Sequence, residues 1–113
     1  MAGDKIAIVT MAAVLSGTAA FAQLDARTRS EIEKVYRQKC SACHSADGSA
    51  DTPAGKRSGA RDVRSAEWKK WSDEELAKTI REGSANKKMP GYGKQLSDDQ
   101  IRQLVAYMRG LAK

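Results

Sequence analysis

The sequence predicts an all-α protein, and three observations lead to this prediction. Apolar residues recur at helical spacing in three stretches, a capping pattern stands at the start of each stretch, and no stretch shows the apolar–polar alternation of a strand. The chain has 113 residues, which is enough for one small domain and too few for a large α/β enzyme. Its 20 Lys and Arg residues exceed its 14 Asp and Glu residues, so the net charge is +6. We therefore expect a small, basic, helical domain.

Residues 1–22 have the features of a cleaved secretory signal peptide. A stretch of apolar and small residues from Ile6 to Ala20 runs into Ala20-Phe21-Ala22, which resembles a signal-peptidase site. The stretch is shorter than the ~20 apolar residues that a membrane-spanning helix needs. We expect cleavage, export to the periplasm, no stable membrane insertion, and a mature domain of residues 23–113. An uncleaved membrane anchor is the alternative.

The first helix is expected to begin at Ser30 and to end near the two cysteines. Ser30 and Glu33 match the S-x-x-E pattern of a capping box, which satisfies two backbone N–H groups at a helix start. The apolar residues that follow at helical spacing are Ile32, Val35, Tyr36, Cys40 and Cys43. The next stretch, residues 45–64, is rich in Gly, Ser, Ala and Asp and has no period, so we expect an ordered loop there.

The middle helix is expected to follow Ser72. Ser72 and Glu75 again match a capping box, and Leu76 and Ile80 are spaced to face inward. Gly83 is suited to end the helix, because glycine readily takes the left-handed conformation found after helix C-termini.

The last helix is expected to begin after Ser97. A loop over residues 84–96 separates it from the middle helix and contains Met89 and Pro90. Ser97 and Gln100 match a third capping pattern. The apolar stripe of this helix consists of Ile101, Leu104, Val105, Met108 and Leu111.

The segment Cys40-Ser41-Ala42-Cys43-His44 matches C-x-x-C-H, the signature of covalent haem attachment. Two cysteines three residues apart lie on one side of a helical turn, where both thiols can form thioethers with the vinyl groups of one porphyrin. His44 follows directly and can bind the iron. We therefore expect one covalently attached haem c, with its iron bound by His44.

Three other interpretations of these cysteines are weaker. A dithiol redox pair usually lies at a strand-to-helix junction, and the sequence predicts no strand. A structural zinc site needs about four nitrogen or sulfur ligands, and the chain has two Cys and one His. Cysteines that pack as inert apolar side chains would leave the adjacent His44 unexplained.

The second ligand of the iron is expected to be Met89. The chain has one His, and after signal cleavage only Met89 and Met108 remain as thioether donors. Met108 lies on an apolar helical stripe, where methionine is usually core, whereas Met89 lies in a Gly/Pro loop beside Lys87 and Lys88. With both axial positions filled, we expect electron transfer and no enzyme activity. A haem enzyme or ligand sensor, such as a peroxidase or gas binder with an open or labile sixth position, is the alternative.

On these motifs the chain resembles the class I monohaem cytochromes c of the small bacterial soluble type. The resemblance rests on C-x-x-C-H, the M-P-G-Y loop at residues 89–92 and the final helix with Tyr107, and it covers nearly all of residues 23–113. It implies a cytochrome c fold, in which three main helices surround one covalently bound haem and the first and last helices cross near a right angle. It also implies that Tyr107 packs on the first helix near Tyr36 and that Tyr92 lies near the haem edge.

The resemblance implies two further contacts of the haem site. The carbonyl of Pro53 would accept a hydrogen bond from Nδ1 of His44 and so orient the imidazole. Either Trp68 or Trp71 would donate a hydrogen bond to a haem propionate, with core packing as the alternative for both.

The positive charge predicts an acidic partner. Lys87, Lys88 and Lys94 flank the methionine loop, and Lys69 and Lys70 lie between the two tryptophans. A positive face near the haem edge would steer an acidic redox partner protein toward it, and salt would weaken the effect. Export and the lack of an aromatic and basic platform argue against nucleic acid. We expect a monomer that exchanges electrons with such partners.

Overall fold

The structure is a computed structural model that describes residue 3 and residues 24–113. All but one residue of the predicted signal peptide therefore lies outside the described part. Within that part every regular element is a helix: α1 (Ala26–Lys39), α2 (Ser41–His44), α3 (Pro53–Ser58), α4 (Ala66–Lys69), α5 (Asp73–Glu82) and α6 (Asp98–Leu111). The all-α prediction is confirmed, with α1, α5 and α6 as the three main helices. None of the helices in residues 24–113 is long and apolar enough to cross a membrane.

The helix α1 begins earlier than the sequence pattern predicts. Its N-cap is Asp25, whose Oδ1 accepts a hydrogen bond of 2.8 Å from the backbone N–H of Thr28. This bond also lowers the pKa of Asp25, since it favours the charged carboxylate. Ser30 lies inside the helix, so its predicted role as the helix start is wrong. Starting at Asp25 adds backbone hydrogen bonds that a start at Ser30 would leave unmade.

The stretch expected to be a loop, residues 45–64, contains the short helix α3. Thr52 caps it by accepting a hydrogen bond of 2.8 Å from the N–H of Gly55, and Pro53 occupies its first turn. A threonine followed by proline is a known helix-start signal, because proline at the first helical position has no N–H to satisfy. Gly59 ends α3 with a φ of 70°.

The starts of α5 and α6 lie at the predicted capping serines, with a single side-chain cap bond at α5 and the full capping box at α6. Oγ of Ser72 accepts a hydrogen bond of 3.1 Å from the N–H of Glu75. Ser97 and Gln100 form a complete capping box, with bonds of 3.1 Å and 2.9 Å. Local sequence is sufficient here because each cap involves residues only three positions apart.

The hydrophobic core lies where α1 packs against α6. Its most deeply buried side chains are Ile32, Tyr36, Val63, Ile101, Leu104 and Val105. The rings of Tyr36 and Tyr107 lie 5.1 Å apart, which confirms the predicted packing of Tyr107 on α1. The hydroxyl of Tyr36 donates a hydrogen bond of 2.6 Å to the carbonyl of Ser45, and burial raises the pKa of this tyrosine.

Gly48 joins the loop after α2 to this core. Its carbonyl accepts a hydrogen bond of 2.9 Å from the N–H of Val63, and its φ is 81°. A Cβ at this position would overlap Cγ2 of Val63. Gly59 has a similar φ of 70°, but a Cβ there would meet nothing within 4 Å.

We expect Gly48→Ala to destabilise the haem-loaded protein more than Gly59→Ala does. Both variants carry the cost of a left-handed backbone, about 1 kcal/mol. Overlap with Val63 adds about 1–3 kcal/mol in Gly48→Ala alone. Denaturant unfolding followed by circular dichroism measures both free energies. Equal losses would show that the loop can move away from Val63.

Candidate haem site

A cavity of about 440 Å³ brings the predicted site residues together. Its lining includes Cys40, Cys43 and His44 from the end of α1 and from α2. It also includes Met89 from the loop between α5 and α6. The two groups are distant in the sequence, so only the packing of α6 against α1 and of α5 against α6 places them around one space.

The cysteines are presented on a single turn of helix. The carbonyl of Cys40 accepts hydrogen bonds from the N–H groups of His44 at 2.9 Å and of Cys43 at 3.2 Å. Both thiols are free and half-buried. Burial raises the pKa of the Cys40 thiol to about 11. A reactive redox dithiol needs a lowered thiol pKa, so this environment disfavours the dithiol interpretation.

The imidazole of His44 is held by a main-chain carbonyl. Its Nδ1 lies 3.1 Å from the carbonyl oxygen of Arg61. Because a carbonyl only accepts, Nδ1 is the protonated nitrogen, and the lone pair of Nε2 is left for a metal. Burial lowers the pKa of His44, and the bond to Arg61 opposes this effect. The neutral ring is the form that binds iron.

The predicted role of Pro53 is wrong, since the carbonyl that His44 bonds belongs to Arg61. Pro53 instead begins α3, which packs closely on α2. At this contact, Oγ1 of Thr52 donates a hydrogen bond of 2.7 Å to the carbonyl of Ala42. At Gly55 a Cβ would overlap the carbonyl of Cys43. With α3 against α2, the chain that returns after α3 supplies the acceptor for His44.

Both candidate methionines line the cavity. Met89 is half-buried in the loop, whereas Met108 is 6% exposed and belongs to the core between α6 and its neighbours. Tyr92, expected near the haem edge, also lines the cavity. Its hydroxyl donates a hydrogen bond of 3.1 Å to the carbonyl of Lys39. This bond connects the methionine loop to the end of α1.

The two tryptophans lie in different environments at the cavity. Trp68 is 5% exposed and Trp71 is 39% exposed, and both line the cavity. Arg109 contacts both tryptophans. Its guanidinium lies 4.9 Å from the centre of the Trp68 ring. The same group donates a hydrogen bond of 2.5 Å to the carbonyl of Trp71. It also bonds Asp73 at 2.9 Å.

Sequence reasoning missed Arg61 and Arg109. Neither belongs to a motif, and each acts through contacts with residues of other elements. The guanidinium of Arg61 lies 5.5 Å from the ring of Trp71 and pairs with Glu67 at 3.0 Å. No local pattern signals such contacts.

The residues around the cavity fit a covalently attached haem. Two free thiols on one helical turn suit two thioether bonds, and His44 offers an oriented nitrogen. Apolar groups line much of the remaining wall: Trp68, Leu76, Ile80, Tyr92 and Met108. A porphyrin is a flat apolar ring that such walls can enclose.

Comparison with known proteins agrees with this geometry. The family described as "Cytochrome C oxidase, cbb3-type, subunit III" matches residues 27–108. The chain belongs to this family of c-type cytochromes. Members carry covalently bound haem c with its iron and transfer electrons through it. The cytochrome c fold and the cofactor predicted from the sequence are thereby confirmed.

The individual relatives include a cytochrome c oxidase subunit and a solved c-type cytochrome. The "Cbb3-type cytochrome c oxidase subunit CcoP" of Azospirillum brasilense is 31% identical over 88 residues, which is 77% of this chain and 30% of that protein. The chain thus spans less than a third of the length of that relative. The solved structure "KustC0563 c-type cytochrome" has a TM-score of 0.65 at 36% identity, covering 72% of this chain and 96% of that one. A point mutant of the same cytochrome gives a TM-score of 0.64 at 34% identity, with 71% and 96% covered.

We expect the chain without haem to lose cooperative folding, because the cavity lies among core residues and would collapse or fill with water. The variant Cys40→Ser with Cys43→Ser, produced without haem attachment, should unfold with a weak and non-cooperative thermal transition. Circular dichroism measures this, with the haem-loaded protein as reference. A transition as cooperative as that of the reference would contradict the expectation.

Proposed function

We propose that this protein is a periplasmic electron carrier whose haem iron is bound by His44 and Met89. The observation that carries the proposal is the single cavity lined by Cys40, Cys43, His44 and Met89. Haem iron supplies the chemistry, a one-electron change between its ferrous and ferric forms. The protein itself is proposed to bind no substrate at the iron and to catalyse no reaction of its own.

Each residue has a separate task in this proposal. Cys40 and Cys43 form the thioether tethers, which keep the cofactor in place during oxidation and reduction. His44 offers Nε2, and its bond to Arg61 keeps the ring from rotating. Met89 closes the other side with a neutral thioether, which favours the ferrous state and raises the reduction potential. The apolar walls exclude water and reduce the reorganisation that accompanies each electron transfer.

Environment supports Met89 over Met108 as the ligand. Met108 is buried beside Leu104 and Val105 in the apolar stripe of α6, so packing accounts for its presence. Met89 packs against the core but is only partly buried, in a loop next to the exposed Lys87 and Lys88, so packing accounts less fully for a methionine at this position.

We expect Met89→Ala to remove the weak far-red charge-transfer band of ferric iron bound to a thioether. The same variant should have a lower reduction potential and should gain some peroxidase activity, because the sixth position is open. Absorption spectra and redox titration measure these effects.

Met108→Leu is the matched control for this variant. It nearly conserves volume, so it should keep the band and cost under about 1.5 kcal/mol of stability. Loss of the band in Met108→Leu with retention in Met89→Ala would reverse the assignment.

We further propose that the partner docks through an acidic surface against the methionine loop. Lys87, Lys88 and Lys94 are exposed there, and Lys88 also lines the cavity. A partner bound at this place would approach the cofactor closely. The relative CcoP is by its name a subunit of a cbb3-type oxidase, so a terminal oxidase is the first acceptor to test.

We expect Lys87→Glu with Lys88→Glu to slow electron transfer to an acidic partner at low salt and to flatten the dependence of its rate on ionic strength. The absorption spectrum should be unchanged. Stopped-flow mixing at several salt concentrations measures the rate. Lys34→Glu with Lys113→Glu is the control, since it makes the same change in net charge at exposed residues outside the cavity lining. Equal rates for the two double variants would reject a docking role for the loop.

The proposal also includes export of residues 23–113 after cleavage at Ala22 and a monomeric state. The apolar stretch and the Ala20-Phe21-Ala22 site support cleavage, and covalent haem attachment outside the cytoplasm is consistent with it. Mass spectrometry of the purified haem-loaded protein tests the cleavage site. Sedimentation of the same protein measures its mass in solution and so tests whether it is a monomer.

A further inference from the structure

Ser84 bonds both main-chain polar groups of Met89. The N–H of Met89 donates a hydrogen bond of 3.0 Å to Oγ of Ser84. The carbonyl of Met89 accepts one of 3.0 Å from the N–H of Ser84. The segment from Ser84 to Met89 is therefore a closed loop, and a side-chain hydroxyl makes one of the two closing bonds.

The hydroxyl of Ser84 is itself held in one orientation. It donates a hydrogen bond of 2.6 Å to Oδ1 of Asn86. The same oxygen of Asn86 accepts a hydrogen bond of 3.0 Å from the backbone N–H of Lys88. Because its proton is engaged with Asn86, the lone pairs of Ser84 point toward Met89, and the bond to Met89 is well directed.

The two ends of this loop are fixed independently of Ser84. At Gly83 a Cβ would lie 2.7 Å from the carbonyl oxygen of Met89, so the chains touch there. Beyond Met89, two backbone hydrogen bonds tie the chain to the end of α5. The N–H of Tyr92 donates a hydrogen bond of 2.8 Å to the carbonyl of Ile80, and the N–H of Gly93 donates one of 3.0 Å to the carbonyl of Arg81. The end of α5 thus anchors the loop at both of its ends, and Met89 lies between these two anchors.

One residue inside the closed loop has a strained backbone. Lys87 has a φ of 61°, a conformation that costs a residue with a Cβ about 1 kcal/mol or more. Its N–H donates 3.0 Å to the carbonyl of Ser84. Such strain persists only where surrounding bonds hold it, so loss of the Ser84 hydroxyl would favour opening of the loop.

We propose that Ser84 is a positioning residue that determines how firmly the Met89 thioether is held at the iron. A thioether is a neutral and weak donor, so its residence at the iron depends on where the main chain places it. An exogenous ligand binds the iron only in the state in which the thioether has moved away. Its apparent affinity therefore rises with the population of that state. This inference rests on the proposed function, in which Met89 is the ligand.

The experiment is a titration of the ferric, haem-loaded protein with imidazole, followed by the shift of the main absorption band. Loss of one hydrogen bond changes an equilibrium by about fivefold. We expect Ser84→Ala to raise the apparent imidazole affinity by about this factor. Ser84→Thr keeps a hydroxyl and should stay within about twofold of the wild type.

The matched control is Ser49→Ala. Oγ of Ser49 also accepts a backbone N–H, that of Asp51 at 3.2 Å, but Ser49 lies outside the methionine loop and the cavity lining. This variant should leave the imidazole affinity unchanged. An equal affinity in Ser84→Ala and Ser49→Ala would overturn the proposal.

Two further variants keep the outcomes distinct. Met89→Ala should bind imidazole much more tightly than Ser84→Ala; if it binds like the wild type, the ligand assignment itself fails. Tight imidazole binding by Met89→Ala together with an unchanged imidazole affinity of Ser84→Ala overturns the role of Ser84 alone.

If Ser84→Ala does not accumulate with haem, Asn86→Ala is the replacement. It removes the acceptor that orients the Ser84 hydroxyl and should also raise the imidazole affinity. An unchanged affinity in Asn86→Ala would then overturn the proposal.

Discussion

The central apolar cavity is the constraint on which the rest of this structure depends. Trp68, Leu76, Ile80 and Met108 belong to the hydrophobic core and also line the cavity. Their apolar atoms face a space that water would occupy unfavourably and that the protein alone does not fill. Filling this space with haem completes the core and the functional site at once. Stability and redox function therefore depend on the same side chains.

The two sides of the cavity are held by different means. On the cysteine side, a helical turn and the carbonyl of Arg61 orient His44, and α3 packs against that turn through Thr52. On the methionine side, Met89 lies in a loop closed by the hydroxyl of Ser84. A helix packed on another helix opens at higher free energy than a loop closed by side-chain bonds. In the proposed function, the methionine side is thus where sequence changes would adjust ligand binding at the iron without loss of the cofactor.

Arg109 connects α6 to the wall that carries the tryptophans. It bonds Asp73 at the start of α5 and the carbonyl of Trp71, and its guanidinium stacks near Trp68. Asp73 and Arg109 are both partly shielded from solvent, so this pair is screened less than the surface ion pairs elsewhere. One side chain therefore fixes the relation of α4, α5 and α6 at the cavity.

The sequence by itself determined the helical class, the starts of α5 and α6, the haem attachment motif and its cofactor. These depend on residues within a few positions of one another: Ser97 with Gln100, or Cys40 with Cys43 and His44. Tertiary structure decided what depends on distant contacts: the carbonyl of Arg61 as the partner of His44, the contacts of Arg109, and the bond from Met89 to Ser84. The early start of α1 was signalled locally by Asp25 but was missed because the Ser30 and Glu33 pattern stood beside it. The helix α3 was signalled by Thr52-Pro53 but was missed because the Gly- and Ser-rich composition around it favoured a loop. A cap is a local hydrogen bond, whereas the acceptor for an imidazole depends on which segment the whole fold brings against it.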